Sequence, residues 1–237
     1  MIDLIAFDLD GTLIETAAEI AATVNDVLRH EHLPELPETL FRTWIGNGTR
    51  ATLAAAHSFS VASSVGGTVP EQPPESLLLD RLMRLYGQYH ATRCATRSSV
   101  LPEVRRTLEL LRGRGVILTV VTNKEAWFAC ELLSRHQLSE FFVQVVGGDT
   151  LPRRKPHPAP LLHCLATHRV PPESALMVGD SHIDLRAARA ANVRCVLLRR
   201  GYGTATGDSE VRPDAAIDSF AEILSYVANT APELVNT

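Results

Sequence analysis

The chain has 237 residues, 45% hydrophobic and 21% charged, enough for one large domain or a domain with a smaller appendage. A formal net charge of -4 and a pI near 6.1 exclude a broad basic surface for nucleic acid. Cys94, Cys130, Cys164 and Cys195 stand far apart without a Cys-x-x-Cys pair, which argues against disulfides and structural zinc and for reduced, mostly buried thiols in a cytoplasmic protein. No apolar run reaches about 18 residues and no charged-then-apolar leader precedes the first strand, so neither a membrane span nor a signal is expected.

Leu4 to Phe7 lack polar alternation and read as a parallel strand covered on both faces. The run ends in Asp8-Leu9-Asp10-Gly11-Thr12, two carboxylates where an open α/β sheet binds its ligands. Ala17 to Leu28 has helical spacing, and a second helix is expected from Pro37 to Ile45. Gly46-Asn47-Gly48 breaks the chain before a helix from Thr49 to His57. Ser58 to Ser76, rich in Ser, Gly and Pro, reads as a loose surface loop, and Leu77 to Ala95 as another helix. Residues 15–96 are therefore expected to be a helical insertion, leaving 1–14 and 97–237 for the sheet.

From Pro102 the pattern alternates. Helices are expected over 102–112, 124–136, 158–167 and 184–191, and strands over Val116–Val121, Phe142–Val146, Ala175–Val178 and Val193–Leu198. A glycine-rich loop over Gly201–Ser209, a helix over Ser219–Val227 and a frayed tail after Thr230 complete the reading. The fold class is α/β, a doubly wound parallel sheet of Rossmann-like form with an inserted helical domain.

Strand ends carry the polar groups: Asp8 and Asp10, Thr122 and Asn123, Lys155, then Asp180 and Asp184. Singly each has a bland role: Thr122 and Asn123 as N-caps, Lys155 as a solvated loop lysine, Asp184 as a first-turn acid. Together they suit phosphoryl transfer through an aspartyl-phosphate. A carboxylate approaching a phosphate meets like charge, so Mg2+ and fixed donors must neutralise the phosphoryl oxygens. Asp8 and Asp180 are the natural ligands, and Asp184 can hold a metal-bound water. Lys155 offsets the acids and touches phosphate, and the Thr122 hydroxyl and Asn123 amide donate to it. Asp10 shares a side with Asp8 and is placed to protonate the leaving oxygen and then deprotonate water.

In order, Asp8-x-Asp10-Gly11-Thr12, Thr122-Asn123, Lys155-Pro156 and Gly179-Asp180-Ser181-x-x-Asp184 resemble the four motifs of the haloacid dehalogenase-like hydrolase superfamily. That resemblance implies Asp8 as nucleophile, Asp10 as acid/base, and the Asp10 carbonyl joining Asp8 and Asp180 on Mg2+. It also implies a mobile helical cap and a first strand lying between those ending at Thr122 and Gly179. Trp44-Ile45-Gly46-Asn47-Gly48, Gly147 to Pro152 and Pro213-Asp214 are most similar to the phosphoglycolate phosphatase group. The expected partner is a small phosphorylated metabolite, with no nucleic acid and no membrane, and Arg50 is the expected cap contact for a substrate carboxylate. Glu15, Ile183 and Asn192 depart from the group's pattern, as does the stretch 58–76.

The intact acid pair argues against a dehalogenase, which needs neither an acid nor a metal. A signalling receiver domain places its first-strand acids side by side, unlike the spaced pair here. All four motifs are complete, which argues against a phosphate-binding relic. A sugar phosphomutase shares the motifs and differs mainly in its cap, so the motifs leave it open.

Overall fold

The structure, a computed structural model, describes residues 1–69, 72, 74–203 and 212–227. Strand β1 (Leu4–Phe7) leads to a short strand β2 (Ile14–Glu15) and helices α1 (Ala17–His30), α2 (Glu38–Phe41), α3 (Thr49–Val65) and α4 (Ser76–Arg93). Strand β3 (Ser99–Val100) pairs antiparallel with β2 where the helical segment begins and ends. Then come α5 (Val104–Gly113), β4 (Ile117–Val121), α6 (Ala126–Arg135), β5 (Gln144–Val146), α7 (Ala159–His168), β6 (Ala175–Gly179), α8 (His182–Ala190) and β7 (Arg194–Leu198). A strand β8 (Ala215–Ile217) and a 3-10 helix over Phe220–Tyr226 follow.

Alternate residues of the central strands feed two different cores. Ile5 and Phe7 of β1, Leu118 and Val120 of β4, and Leu176 and Val178 of β6 pack with α5, α6 and Phe220. Leu4, Ala6, Val121, Ala175 and Met177 pack on the opposite face with α7 and α8. Burial on both faces explains why these strands read as continuous apolar runs. The sheet is parallel throughout, in the order β5-β4-β1-β6-β7-β8, with Phe7 in register with Val120 on one side and Val178 on the other. β1 therefore occupies the switch point of a doubly wound sheet, and its carboxyl end opens into the crevice between β4 and β6.

The four intervening helices have a core of their own. Ile20, Val24, Val27 and Leu28 of α1 meet Phe41, Leu53, Leu79, Leu82 and Tyr86, and Phe128 of α6 reaches across from the sheet side. Among the described residues, no helix is long and apolar enough to cross a membrane.

Several local expectations are corrected. The predicted loop from Ser58 is helix as far as Val65, because its serines turn inward or onto the helix itself. Ser60 Oγ donates to the Pro34 carbonyl at 2.6 Å, while Ser63 and Ser64 donate to carbonyls of the preceding turn. Gly66, with φ +63°, ends the helix in the left-handed conformation, and Asn192 adopts the same region at φ +57°. The predicted helix over 37–45 shrinks to α2 followed by turns, and the predicted last helix is of 3-10 type. β8 has no counterpart among the predicted strands, being a three-residue edge strand with little pattern. Beyond Gly203, the predicted glycine-rich loop lies outside the described residues, as does the predicted tail. All four cysteines are free, and Cys130 alone of them is exposed.

Candidate active site

The end of β1 places Asp8 and Asp10, both buried, at the floor of the crevice. The loop after β5 brings in Lys155, whose Nζ donates to Asp8 Oδ1 at 2.8 Å and to Asp184 Oδ1 at 2.6 Å. Asp184 stands in the first turn of α8 and forms a capping box: its Oδ2 accepts from the Ser181 amide at 3.1 Å and hydroxyl at 2.7 Å. Asp180, at the end of β6, completes an acidic cluster in which carboxylate oxygens of Asp8, Asp180 and Asp184 lie within 4.8 Å of one another.

The electrostatics follow from this crowding. Burial pushes the Asp8 carboxyl up to about 6 despite the pull of Lys155, with Asp184 adding repulsion. Asp180 is held well above the usual carboxylate range by burial and by repulsion from Asp8 and Asp184. Burial works against the Lys155 ammonium, but Asp184 and Asp8 outweigh it and hold its pKa up. One ammonium thus faces three buried carboxylates.

Gly11 makes the approach of Asp180 possible. Its φ is +83°, and a Cβ there would stand 2.5 Å from Asp180 Oδ2. The loop after β7 closes on the same carboxylate, the Tyr202 amide donating to Asp180 Oδ2 at 2.5 Å. The Tyr202 hydroxyl accepts from the amides of Thr16 (2.8 Å) and Ala17 (3.0 Å) and donates to the Glu15 carboxylate. This ring joins Asp180 to the start of α1.

Asp10 is held from two sides. Thr16 Oγ1 donates to its Oδ1 at 2.7 Å, and Lys124 Nζ lies 3.1 Å from Oδ1 and 3.3 Å from Oδ2. Burial alone would lower the Lys124 pKa; Asp10 reverses that and holds it up. At the end of β4, Thr122 Oγ1 accepts the Lys124 amide at 3.2 Å. The Asn123 side chain donates to the carbonyls of Gly46 (2.9 Å) and Lys155 (2.8 Å), tying the turn before α3 to the sheet loops.

Between the sheet and the helices lies a cavity of about 20 Å³, room for about one water. Asp8, Asp10, Thr122, Asn123 and Lys124 line it from the sheet side; Thr49, Thr52 and Tyr86 are among the residues facing them from the helices. Arg50 is not brought to this cavity: its guanidinium bonds Asp80 Oδ1 at 2.6 Å and Ser76. Lys124, Thr16, Tyr202 and Tyr86 join the site without being singled out by the sequence. Lys124 adjoins Asn123, a signal that could have marked it; Tyr202 carries no local signal beyond its flanking glycines.

The donor set fits a hard divalent cation. Asp8 and Asp180 offer oxygen ligands, and with Asp184 they set three buried carboxylates against the one Lys155 ammonium, an imbalance that Mg2+ offsets. Asp184, with both oxygens engaged by Lys155 and Ser181, is placed to support that site from behind.

A parallel, doubly wound sheet with acids and a lysine converging beyond β1, β5 and β6 defines a Rossmann-like hydrolase core. The chain belongs to the haloacid dehalogenase-like hydrolase family, which it matches over residues 5–198. It is 34% identical to a phosphoglycolate phosphatase of Nitrosococcus oceani over 97% of this chain and 98% of that protein. It is 37% identical to phosphoglycolate phosphatase 1 of Pseudomonas aeruginosa over 98% of this chain and 82% of that protein. The crystal structure of a predicted phosphoglycolate phosphatase from Haemophilus somnus 129pt superposes with a TM-score of 0.85 at 33% identity, covering 96% of this chain and 98% of the other.

Proposed function

We propose that the chain is a Mg2+-dependent phosphoric monoester hydrolase that works through a phosphorylated Asp8, and that it converts 2-phosphoglycolate to glycolate and phosphate. The observation that carries the chemistry is the convergence of Lys155 Nζ on Asp8 Oδ1 at 2.8 Å beside Asp180 and Asp184, with Asp10 two residues from the nucleophile. The near full-length kinship to phosphoglycolate phosphatases supports the substrate.

In this reading an Asp8 oxygen attacks phosphorus, the bond to the leaving alkoxide breaks, and Asp10 supplies its proton. Water then attacks the phosphorus of the acyl phosphate, Asp10 takes a water proton, and Asp8 is released with inorganic phosphate. Lys155, the Thr122 hydroxyl and the Asn123 amide hold the phosphoryl oxygens. Asp8, Asp180 and the Asp10 carbonyl would hold Mg2+, with Asp184 supporting it, and the bound ion supplies positive charge against the phosphoryl oxygens. Thr16 orients Asp10 through its 2.7 Å hydrogen bond.

Residues 15–96 cover the cavity and act as a cap that opens to admit substrate and closes to exclude water. Lys124 faces that cavity and supplies the cation for the substrate carboxylate, with Thr49, Thr52 and Tyr86 as polar neighbours. Arg50, committed to Asp80, does not take that part.

The test is a steady-state comparison of small phosphomonoesters with Mg2+ and with excess chelator. The expected result is the highest kcat/KM for 2-phosphoglycolate, hydrolysis of a chromogenic aryl phosphate as well, and no turnover in chelator. Preference for a sugar phosphate, or phosphoryl transfer to a second hydroxyl of the same sugar, would overturn the substrate assignment.

A further inference from the structure

Behind the active site, at the junction of the helical segment with the sheet domain, His90 is almost fully buried at 1% exposure. Tyr86 stacks on its ring with centroids 5.7 Å apart, and Phe128 meets it edge-on at 4.7 Å. Neither ring nitrogen has a hydrogen-bond partner. Buried imidazole nitrogens are rarely left so, because each gives up water without replacement.

What faces the ring is a ligand set. Cys94 lies one helical turn on, at the end of α4, and Glu131 projects from α6. One ligand atom from each of His90, Cys94 and Glu131 lies within 4.8 Å of the others. Glu131 Oε2 is also buried and without a partner, while its other oxygen accepts from Arg135 at 3.3 Å. Two of the three residues thus carry orphaned polar atoms in one small volume.

We propose that His90, Cys94 and Glu131 form a second metal site, taking one borderline-soft divalent ion of the zinc class and joining the last turn of α4 to α6. The thiolate, imidazole and carboxylate suit zinc, and three protein ligands leave a fourth position for water. A thiolate and a carboxylate balance the two positive charges, so the buried site is neutral when filled. Binding displaces the Cys94 thiol proton to solvent and leaves no redox change to account for. The active-site cluster is all oxygen and prefers Mg2+, so the two sites select different ions. The sequence alone shows only a sparse cysteine pattern, because Glu131 comes from another helix.

The experiment uses the full-length protein with Mg2+ saturating, titrated with Co2+ and then Zn2+. One equivalent of Co2+ is expected to give a thiolate-to-cobalt charge-transfer band in the near ultraviolet, and Zn2+ to displace it. The band is expected to vanish in Cys94→Ser, to be lost or strongly weakened in His90→Gln, and to persist in Cys130→Ser. Glu131→Gln, altering a partly exposed side chain, is expected to fold normally and to weaken cobalt binding by more than about tenfold. Absence of the band in the wild type, its survival in Cys94→Ser, its loss in Cys130→Ser, or unchanged affinity in Glu131→Gln would each overturn the proposal and leave an ordered water as the partner of His90.

Discussion

The Lys124 ammonium lies 3.1 Å from Asp10 Oδ1, buried, joining a residue at the end of β4 to the second acid of the first motif. The contact spans 114 positions of sequence and puts a cation on the wall of the cavity beside Asp8. With the proposed substrate, Lys124 would have two partners during turnover, Asp10 and the carboxylate of the leaving group.

A double comparison separates these roles. Lys124→Met is expected to lower kcat/KM for 2-phosphoglycolate by about a hundredfold and for an uncharged aryl phosphate by only about tenfold, the extra tenfold being roughly 1.4 kcal/mol of carboxylate recognition. Arg50→Ala should change both by less than about twofold, since its pair with Asp80 is half exposed and such pairs contribute little. Equal losses on both substrates in Lys124→Met would remove Lys124 from carboxylate recognition and leave it only with Asp10.

Asp8→Asn removes the proposed nucleophile while keeping its shape, and turnover is expected to fall by about a thousandfold or more with the fold intact. Its stability carries a second signature. Asp8 is held at about 6 in the folded protein against an ordinary value of 3.8, so the protonated carboxyl favours the fold. That stabilisation is complete below the ordinary value and is lost as pH rises through about 6. In chelator, Asp8→Asn should therefore gain on the wild type between about pH 4 and about pH 6, by a few kcal/mol, and hold that advantage at higher pH. Added Mg2+ should raise the wild-type melting temperature at about pH 8 more than that of the variant, because the ion favours the ionised acid. A difference that does not change with pH would contradict the cause assigned to the raised value.

The sequence made the sheet and its strand-end residues legible because three of the reactive groups sit where an apolar run stops. Asp8 follows Phe7, Thr122 follows Val121, and Asp180 follows Gly179, and three strand ends at one edge of a parallel sheet meet by topology alone. What was not legible depends on contacts between distant segments. Lys124 sits in helix-start chemistry whose bland reading is a solvated charge, yet it is buried because the helical segment covers it. Tyr202 acts through a loop that approaches Asp180 so closely that Cβ atoms on Gly201 or Gly11 would collide with it. The serines of α3 look like loop residues until their hydroxyls find helix carbonyls.

Tyr202→Phe tests that loop. The hydroxyl accepts two amides, from Thr16 and Ala17, and donates to Glu15, so its removal strands partly buried donors at about 1–3 kcal/mol. For a chain of this size the melting temperature should fall by about 5 °C. Thr16 also holds Asp10, so kcat should fall severalfold with little change in KM. An unchanged melting temperature would mean that water replaces the hydroxyl at the start of α1.

Two glycine substitutions make opposite predictions from one physical rule. Gly11→Ala asks an L-residue to adopt φ +83° and puts a Cβ 2.5 Å from Asp180 Oδ2 and 2.9 Å from the Tyr202 ring. Either the β1 loop or Asp180 must shift, so Mg2+-dependent turnover should fall by at least about a hundredfold and the half-saturating Mg2+ concentration should rise. Gly113, the last residue of α5, keeps an ordinary φ, and a methyl added there would have nothing within 4 Å. Gly113→Ala should leave turnover unchanged and stabilise the fold by about 0.4–1 kcal/mol, because the unfolded chain loses freedom and the folded one loses nothing. Were Gly11→Ala to keep both activity and Mg2+ affinity, the close packing of Asp180 against the first motif could not be a requirement of the site.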